Sequence, residues 1–238
     1  MTTTDFSVDW NGLVLTGSLH RAESTGTAPT VLMLQGSGAA DRDSDGYFVP
    51  IREAFLRVGV STVAFDKPGC GTSTGDWRRH GLHDRADQAR AVLAALRSMR
   101  DVDPERVGVW GQSQGGWLVQ LLAGADDDLS FAISNSGPSL TMPEQILYDC
   151  EQRLLQNRAA APDVADALAF VSEMLAAASE RADFEDVAAG PLRRARSQTW
   201  FEHVKVDDAE DWTSMVAFAN DDFVPLESLA SVTTPFLA

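Results

Sequence analysis

The chain has 238 residues, 44% hydrophobic and 23% charged, enough to bury a substantial core and too apolar for a disordered segment. A formal net charge of −16 and a pI near 4.5 argue against a nucleic-acid or anionic-membrane surface, which would repel such a chain. No apolar run approaches the roughly 20 residues of a membrane span. The opening MTTTDFSVDW lacks the basic start and apolar stretch of a signal peptide, so a cytoplasmic protein is expected. Cys70 and Cys150 have no metal-ligand spacing and form no disulfide framework, so reduced thiols, no metal and no cofactor are expected.

In chain order, residues 6 to 20 read as two strands around Asn11-Gly12, a strong hairpin signal. TVLMLQGSG (30 to 38) is a continuous apolar run ending in glycines, which suits a strand buried on both faces. YFVPIREAFLRVG follows with apolar Ile51, Phe55 and Val58 and a stop at Gly59, predicting a helix. The alternation then repeats: strand 61 to 66, a Gly-rich loop, helix 84 to 99, strand 106 to 110, helix 115 to 123 and strand 131 to 136. Helix 84 to 99 carries Ala89, Val92, Leu93, Leu96 and Met99 as its core stripe, with Asp84 placed to cap its start. Such alternation predicts an α/β, mostly parallel twisted sheet, entered by an antiparallel hairpin, with functional residues at the carboxyl ends of strands.

From Pro138 the pattern changes to Ala-, Glu- and Arg-rich helical segments, among them LRRARSQTWFEHV, with no clear strand. The expected organisation is a core over 1–137, a helical cap inserted over 138–230, and a returning core strand beginning in TTPFLA over 231–238.

G-x-S-x-G occurs twice, at 71 to 75 and at 111 to 115. A nucleophile elbow needs a strand running into a turn so tight that the serine is strained, with a helix starting at once. Glycines two before and two after are needed because a Cβ there would collide where strand and helix close. RVGVW-GQSQGG-WLVQLLAG meets every condition and nominates Ser113. Ser73 lies beyond its strand, after Pro68 and Gly69 and before the polar DWRRH, and reads as a loop serine. The helix after Ser113 offers a dipole end and free N–H groups that stabilise an oxyanion. Gln114 N–H is one expected donor, and the loop after strand 30 to 34, where Ser37 follows Gly36, is the expected source of the other.

These residues resemble the α/β-hydrolase superfamily, in particular its esterase and serine-aminopeptidase-like branch, over nearly the whole chain. LQGSGAADRD is similar to that family's H-G-S-G-x-x-D-R-D loop, with Gln35 where His is usual. FDKPGCGTSTGDW is similar to D-x-R-G-x-G-x-S-x-G, and GQSQGG to G-H-S-x-G-G, with Gln112 in place of His. Carried over position by position, the resemblance implies Ser113 as nucleophile, Ser37 and Gln114 N–H as the oxyanion hole, and a small-molecule ester as substrate. The two glutamines would alter pocket polarity only.

The triad in this fold runs Ser, then Asp or Glu, then His. His20, His80 and His83 precede Ser113, and His203, in TWFEHVKV, reads as a surface histidine on a cap helix. By resemblance the acid and the base would both follow Ala238, which makes the C-terminal part of the core missing and the chain truncated. A competing alignment makes SMVAFA the acid-bearing strand and Asp222 the acid, although the same residues read as a helix and its exit. Two functions remain open: a serine hydrolase working through an acyl-enzyme on an ester, thioester or amide, and a non-catalytic relative that only binds.

Overall fold

The structure is a computed structural model that describes residues 2–24, 26–125, 128–204 and 206–238. The chain divides into two compact units, the first formed by Met1–Trp77, Leu82–Ser139 and Val224–Ala238, the second by Arg78–Gly81 and Leu140–Phe223.

The first unit is built on a seven-stranded sheet in the order β1-β2-β4-β3-β5-β6-β7. Strands β1 (Thr2–Trp10) and β2 (Leu13–Arg21) form the antiparallel hairpin, and Asn11 and Gly12 turn it with φ of 51° and 79°. Two consecutive residues in the left-handed region are what a tight hairpin requires, and Asn and Gly tolerate it best. Strand β2 also runs antiparallel to β4 (Ser61–Phe65). From there β3 (Ala28–Leu34), β5 (Val102–Gln112), β6 (Ala132–Asn135) and β7 (Phe236–Leu237) are parallel.

Strand β3 is buried on both faces as its continuous apolar run predicts. Val31 and Met33 pack with Phe48, Ala64 and Trp110 on one side, while Leu32 and Leu34 are buried at the alternate positions. Phe48 opens helix α1 (Phe48–Arg57) and meets Trp110 edge-on at a ring separation of 5.5 Å. Helix α2 (Leu82–Arg97) buries Ala89, Val92, Leu93 and Leu96 completely. It begins two residues before the expected start, which moves Asp84 from the cap into the first turn and leaves Met99 beyond the last one. Fully buried Leu82 and Ala86 continue the apolar stripe backwards and carry the helix with them.

Helix α3 (Gln114–Ala125) is buried along almost its whole length. Because β4 lies on one side of β3 and β5 on the other, the direction of chain progression reverses between β3 and β5. A crevice at the carboxyl ends of such a strand pair is where parallel sheets bind ligands.

The second unit is helical: α4 (Met142–Gln156), α5 (Ala161–Ser179), α6 (Phe184–Val187), α7 (Arg193–Ala195) and α8 (Ala209–Ala219). Its own core gathers Leu154, Phe170, Met174, Trp200, Trp212 and their neighbours. Thr141 and Glu144 form a reciprocal capping box on α4, and Asp208 caps α8 through the N–H groups of Glu210 and Asp211. Two expectations are corrected here. LRRARSQTWFEHV is not one helix: it breaks after Ala195 and returns as a single 3-10 turn, Phe201–His203, pinned by buried Trp200. The expected insertion also ends earlier, because helix α9 (Pro225–Leu229) packs in the first unit, where Ser228 Oγ donates to Gln120 O at 3.1 Å. Among the described residues no helix is long and apolar enough to cross a membrane.

Candidate active site

Strand β5 ends at Gln112 and α3 begins at Gln114, which leaves Ser113 alone in the turn, half-buried, with φ of 54°. For a residue with a Cβ that conformation costs about 1–2 kcal/mol, so the surroundings must enforce it. They do so with two hydrogen bonds: Ser113 N–H donates to Asn135 O at 2.9 Å and Gly116 N–H donates to Ser113 O at 2.7 Å. The flanking glycines are needed for space. A Cβ at Gly111 would lie 2.1 Å from Gly115 O, and one at Gly115 would lie 2.2 Å from Leu34 O. Strand, turn and helix therefore close on one another only with hydrogen at both positions, as the sequence spacing requires.

The loop after β3 lies against this turn. A Cβ at Gly36 would stand 2.9 Å from Gln112 Oε1 and 3.4 Å from Ser113 Cβ. Ser37 follows, exposed, and Gly38 has φ of 82°. Gln114 is buried at the first turn of α3, where backbone N–H groups have no partner within the helix. The fold thus brings Ser113, Gln114 and the loop beginning at Gly36 together at the carboxyl ends of β3 and β5.

Residues leaving β4 hold that loop, and the sequence reading did not single them out. Gln35 Nε2 donates to Phe65 O at 2.5 Å and to Asp41 O at 3.1 Å. This corrects its expected role: Gln35 is 2% exposed and ties the loop to β4 instead of colouring a pocket. Asp66 accepts from Arg42 Nη2 at 2.7 Å, Arg42 Nε at 3.0 Å, Arg42 N–H at 2.7 Å and Thr72 N–H at 2.9 Å. Burial pushes its carboxyl up, but the Arg42 side chain and the two backbone donors outweigh that and bring it down to about 2. Lys67 is 2% exposed, and its Nζ donates to Gly36 O at 2.5 Å and Gly38 O at 2.6 Å beneath the face of Trp77. Burial first, then the nearby cation Arg85, lower Lys67 to about 5. The available signal was an Asp-Lys pair directly after an apolar strand and before Pro-Gly, where a solvated surface pair is out of place.

Ser73, in the second motif, is buried and fully engaged: its Oγ accepts Thr16 N–H at 2.9 Å and donates to Asp66 O at 2.8 Å. Asp222 lies exposed after α8, and SMVAFA is helix, so the alignment that made it an acid-bearing strand fails. A short apolar run suits a buried helix as well as a strand, and here its helical alternative prevails. His203 ends a 3-10 turn in the helical unit, partly exposed, with Glu202 at 3.8 Å. Both cysteines are free thiols.

Comparison with known proteins agrees with the fold. The chain is 30% identical over 131 residues to the quorum-quenching protein AidA of Acinetobacter baumannii, a match covering 55% of the chain and 42% of that protein. It is 30% identical over 127 residues to the esterase FrsA of Escherichia fergusonii, covering 53% and 29% respectively. The matches thus span less than half the length of these relatives. In fold it is similar to a Pyrococcus furiosus esterase, with a TM-score of 0.60 at 17% identity over 99% of this chain and 69% of that one. It is also similar to Est1E of Butyrivibrio proteoclasticus with ferulic acid bound, at a TM-score of 0.52 and 23% identity over 60% of this chain and 56% of that one. Residues 31–237 match the Alpha/beta hydrolase family, nearly the full chain, and the protein belongs to that family.

Proposed function

We propose that this protein is a serine hydrolase acting on a small carboxylic ester, with Ser113 as the nucleophile. The observation that carries the reading is the strained turn at Ser113, with φ of 54° where β5 meets α3. Strain of that kind persists only where the surroundings over-determine it, and here it lifts a hydroxyl to the carboxyl end of the sheet. Ser113 Oγ attacks the ester carbonyl, and the tetrahedral oxyanion accepts hydrogen bonds from the N–H groups of Ser37 and Gln114. The serine's proton passes to the alcohol oxygen as the bond to it breaks, and water then adds to the acyl-enzyme, releasing the acid and returning a proton to Ser113 Oγ. The esterase name of a relative, FrsA, supports an ester over an amide or thioester. The reading assigns the base and the acid to neither His203 nor Asp222, and the net charge of −16 disfavours a nucleic acid as partner.

The test is labelling of the intact natural protein with a fluorophosphonate probe. Adduct formation at Ser113 that disappears in Ser113→Ala is the expected result. No adduct would overturn the proposal and favour a relative that only binds, and an adduct on another residue alone would overturn Ser113 as the nucleophile.

A further inference from the structure

We infer that Lys67 is the positioning residue of the oxyanion hole: by capturing the carbonyls of Gly36 and Gly38 it aims the Ser37 N–H at the nucleophile turn and strengthens it as a donor. The inference rests on the reading of Ser113 and Ser37 proposed above.

In a trans peptide the carbonyl of one residue and the N–H of the next are fixed in one plane and point in opposite directions. Gly36 O and Ser37 N–H belong to the same peptide unit, so whatever holds the first orients the second. Lys67 Nζ holds Gly36 O at 2.5 Å and Gly38 O at 2.6 Å. Lys67 also donates its backbone N–H to Ala40 O at 3.2 Å, so one residue fixes the loop at three carbonyls.

The loop needs such a restraint. It contains glycines at 36 and 38, and Gly38 sits at φ of 82° with no atom within 4 Å of where its Cβ would be. Left to itself, so permissive a backbone would sample several directions for Ser37 N–H. The donor also acts through the bond framework. A hydrogen bond accepted by a carbonyl polarises its peptide unit and makes the N–H on the other side a stronger donor. The lysine is not free to leave: it is 2% exposed, lies over Trp77 with Nζ 5.9 Å from the ring centroid, and has Arg85 buried nearby. Burying a lysine beside an arginine is unfavourable unless its donors are used, and both glycine carbonyls use them.

The experiment compares the intact natural protein with its Lys67→Met variant, which keeps all but the last atom of the side chain's length and removes its donors. Active sites are counted by fluorophosphonate titration, and kcat, KM and the affinity of a boronic acid that mimics the tetrahedral oxyanion are measured per titrated site. Loss of one oxyanion donor lowers kcat by roughly 100- to 1,000-fold, so a misaimed one is expected to cost about 10- to 100-fold. KM should stay within about twofold, and boronate affinity should fall with kcat. A purely structural lysine would lower the melting temperature and the number of titratable sites without moving kcat per site, and that result overturns the inference. Where Lys67→Met does not fold, Lys67→Gln, whose shorter amide reaches one carbonyl at most, is put through the same measurements, with unchanged kcat per site again overturning it. Failure of the Ser113 reading is distinguishable, because wild type itself would then not be labelled.

Discussion

The chain contains the same five-residue pattern twice, and the two copies have opposite fates. At 111 to 115 the serine is the sole residue between a strand and a helix, and its backbone is forced to φ of 54°. At 71 to 75 the glycines have positive φ, 51° and 102°, and the serine does not. The space at Gly71 is taken by the Asp66 carboxylate, 2.3 Å from where its Cβ would be, instead of by a closing helix. Ser73 spends its hydroxyl on Thr16 N–H and Asp66 O, which secures β2 to the exit of β4. Five residues cannot distinguish these outcomes. What distinguishes them is whether a buried strand feeds the pattern and a helix leaves it, because only that geometry closes backbone on backbone at both glycines and strains the residue between them.

The largest expected difference between the copies is chemical. Ser113→Ala should abolish fluorophosphonate labelling and lower ester hydrolysis by at least about a thousandfold, whereas Ser73→Ala should leave labelling per folded molecule unchanged. Next comes the space around the elbow. Gly115→Ala forces a methyl to within 2.2 Å of Leu34 O and should cost about 3 kcal/mol, read by thermal or denaturant unfolding.

Asp66→Asn tests what supports the second copy. It strips charge from a buried partner of Arg42 and should cost about 3 kcal/mol near neutral pH. The Asp66 carboxyl titrates at about 2 in the folded protein, below its ordinary 3.8, so its contribution is complete above about pH 4 and is lost as pH falls from there through 2. Acid unfolding followed by circular dichroism should therefore show wild type and Asp66→Asn converging over that window. Equal pH profiles would show that the pair carries no net stability. The smallest effect is the stability change in Ser73→Ala, about 1 kcal/mol for leaving Thr16 N–H without its acceptor.

Much of this was legible locally. The hairpin at Asn11-Gly12, the buried strand at 30 to 34 and the tight turn at Ser113 between Gly111 and Gly115 are set by residues a few positions apart, whereas the approach of Gly36 to Ser113 joins segments far apart in the chain. Where the sequence reading went astray, short-range signals were ambiguous. SMVAFA suited a strand or a helix, Asp84 sat two residues inside a helix whose apolar stripe began earlier, and TWFEH made one 3-10 turn instead of a helix.

The order of residues by itself determined which segments are strands, which are helices and where the strained serine stands, because periodicity, turn chemistry and the absence of a Cβ act within a few residues. Only the tertiary structure decided that Gln35, Arg42, Asp66 and Lys67 form the scaffold of the loop beside that serine. Their contacts join residues 24 to 31 positions apart, across two strands that the sheet order makes neighbours. A buried lysine and a solvated one are written with the same letter, and which of them Lys67 is depends on the carbonyls that folding brings to its amine.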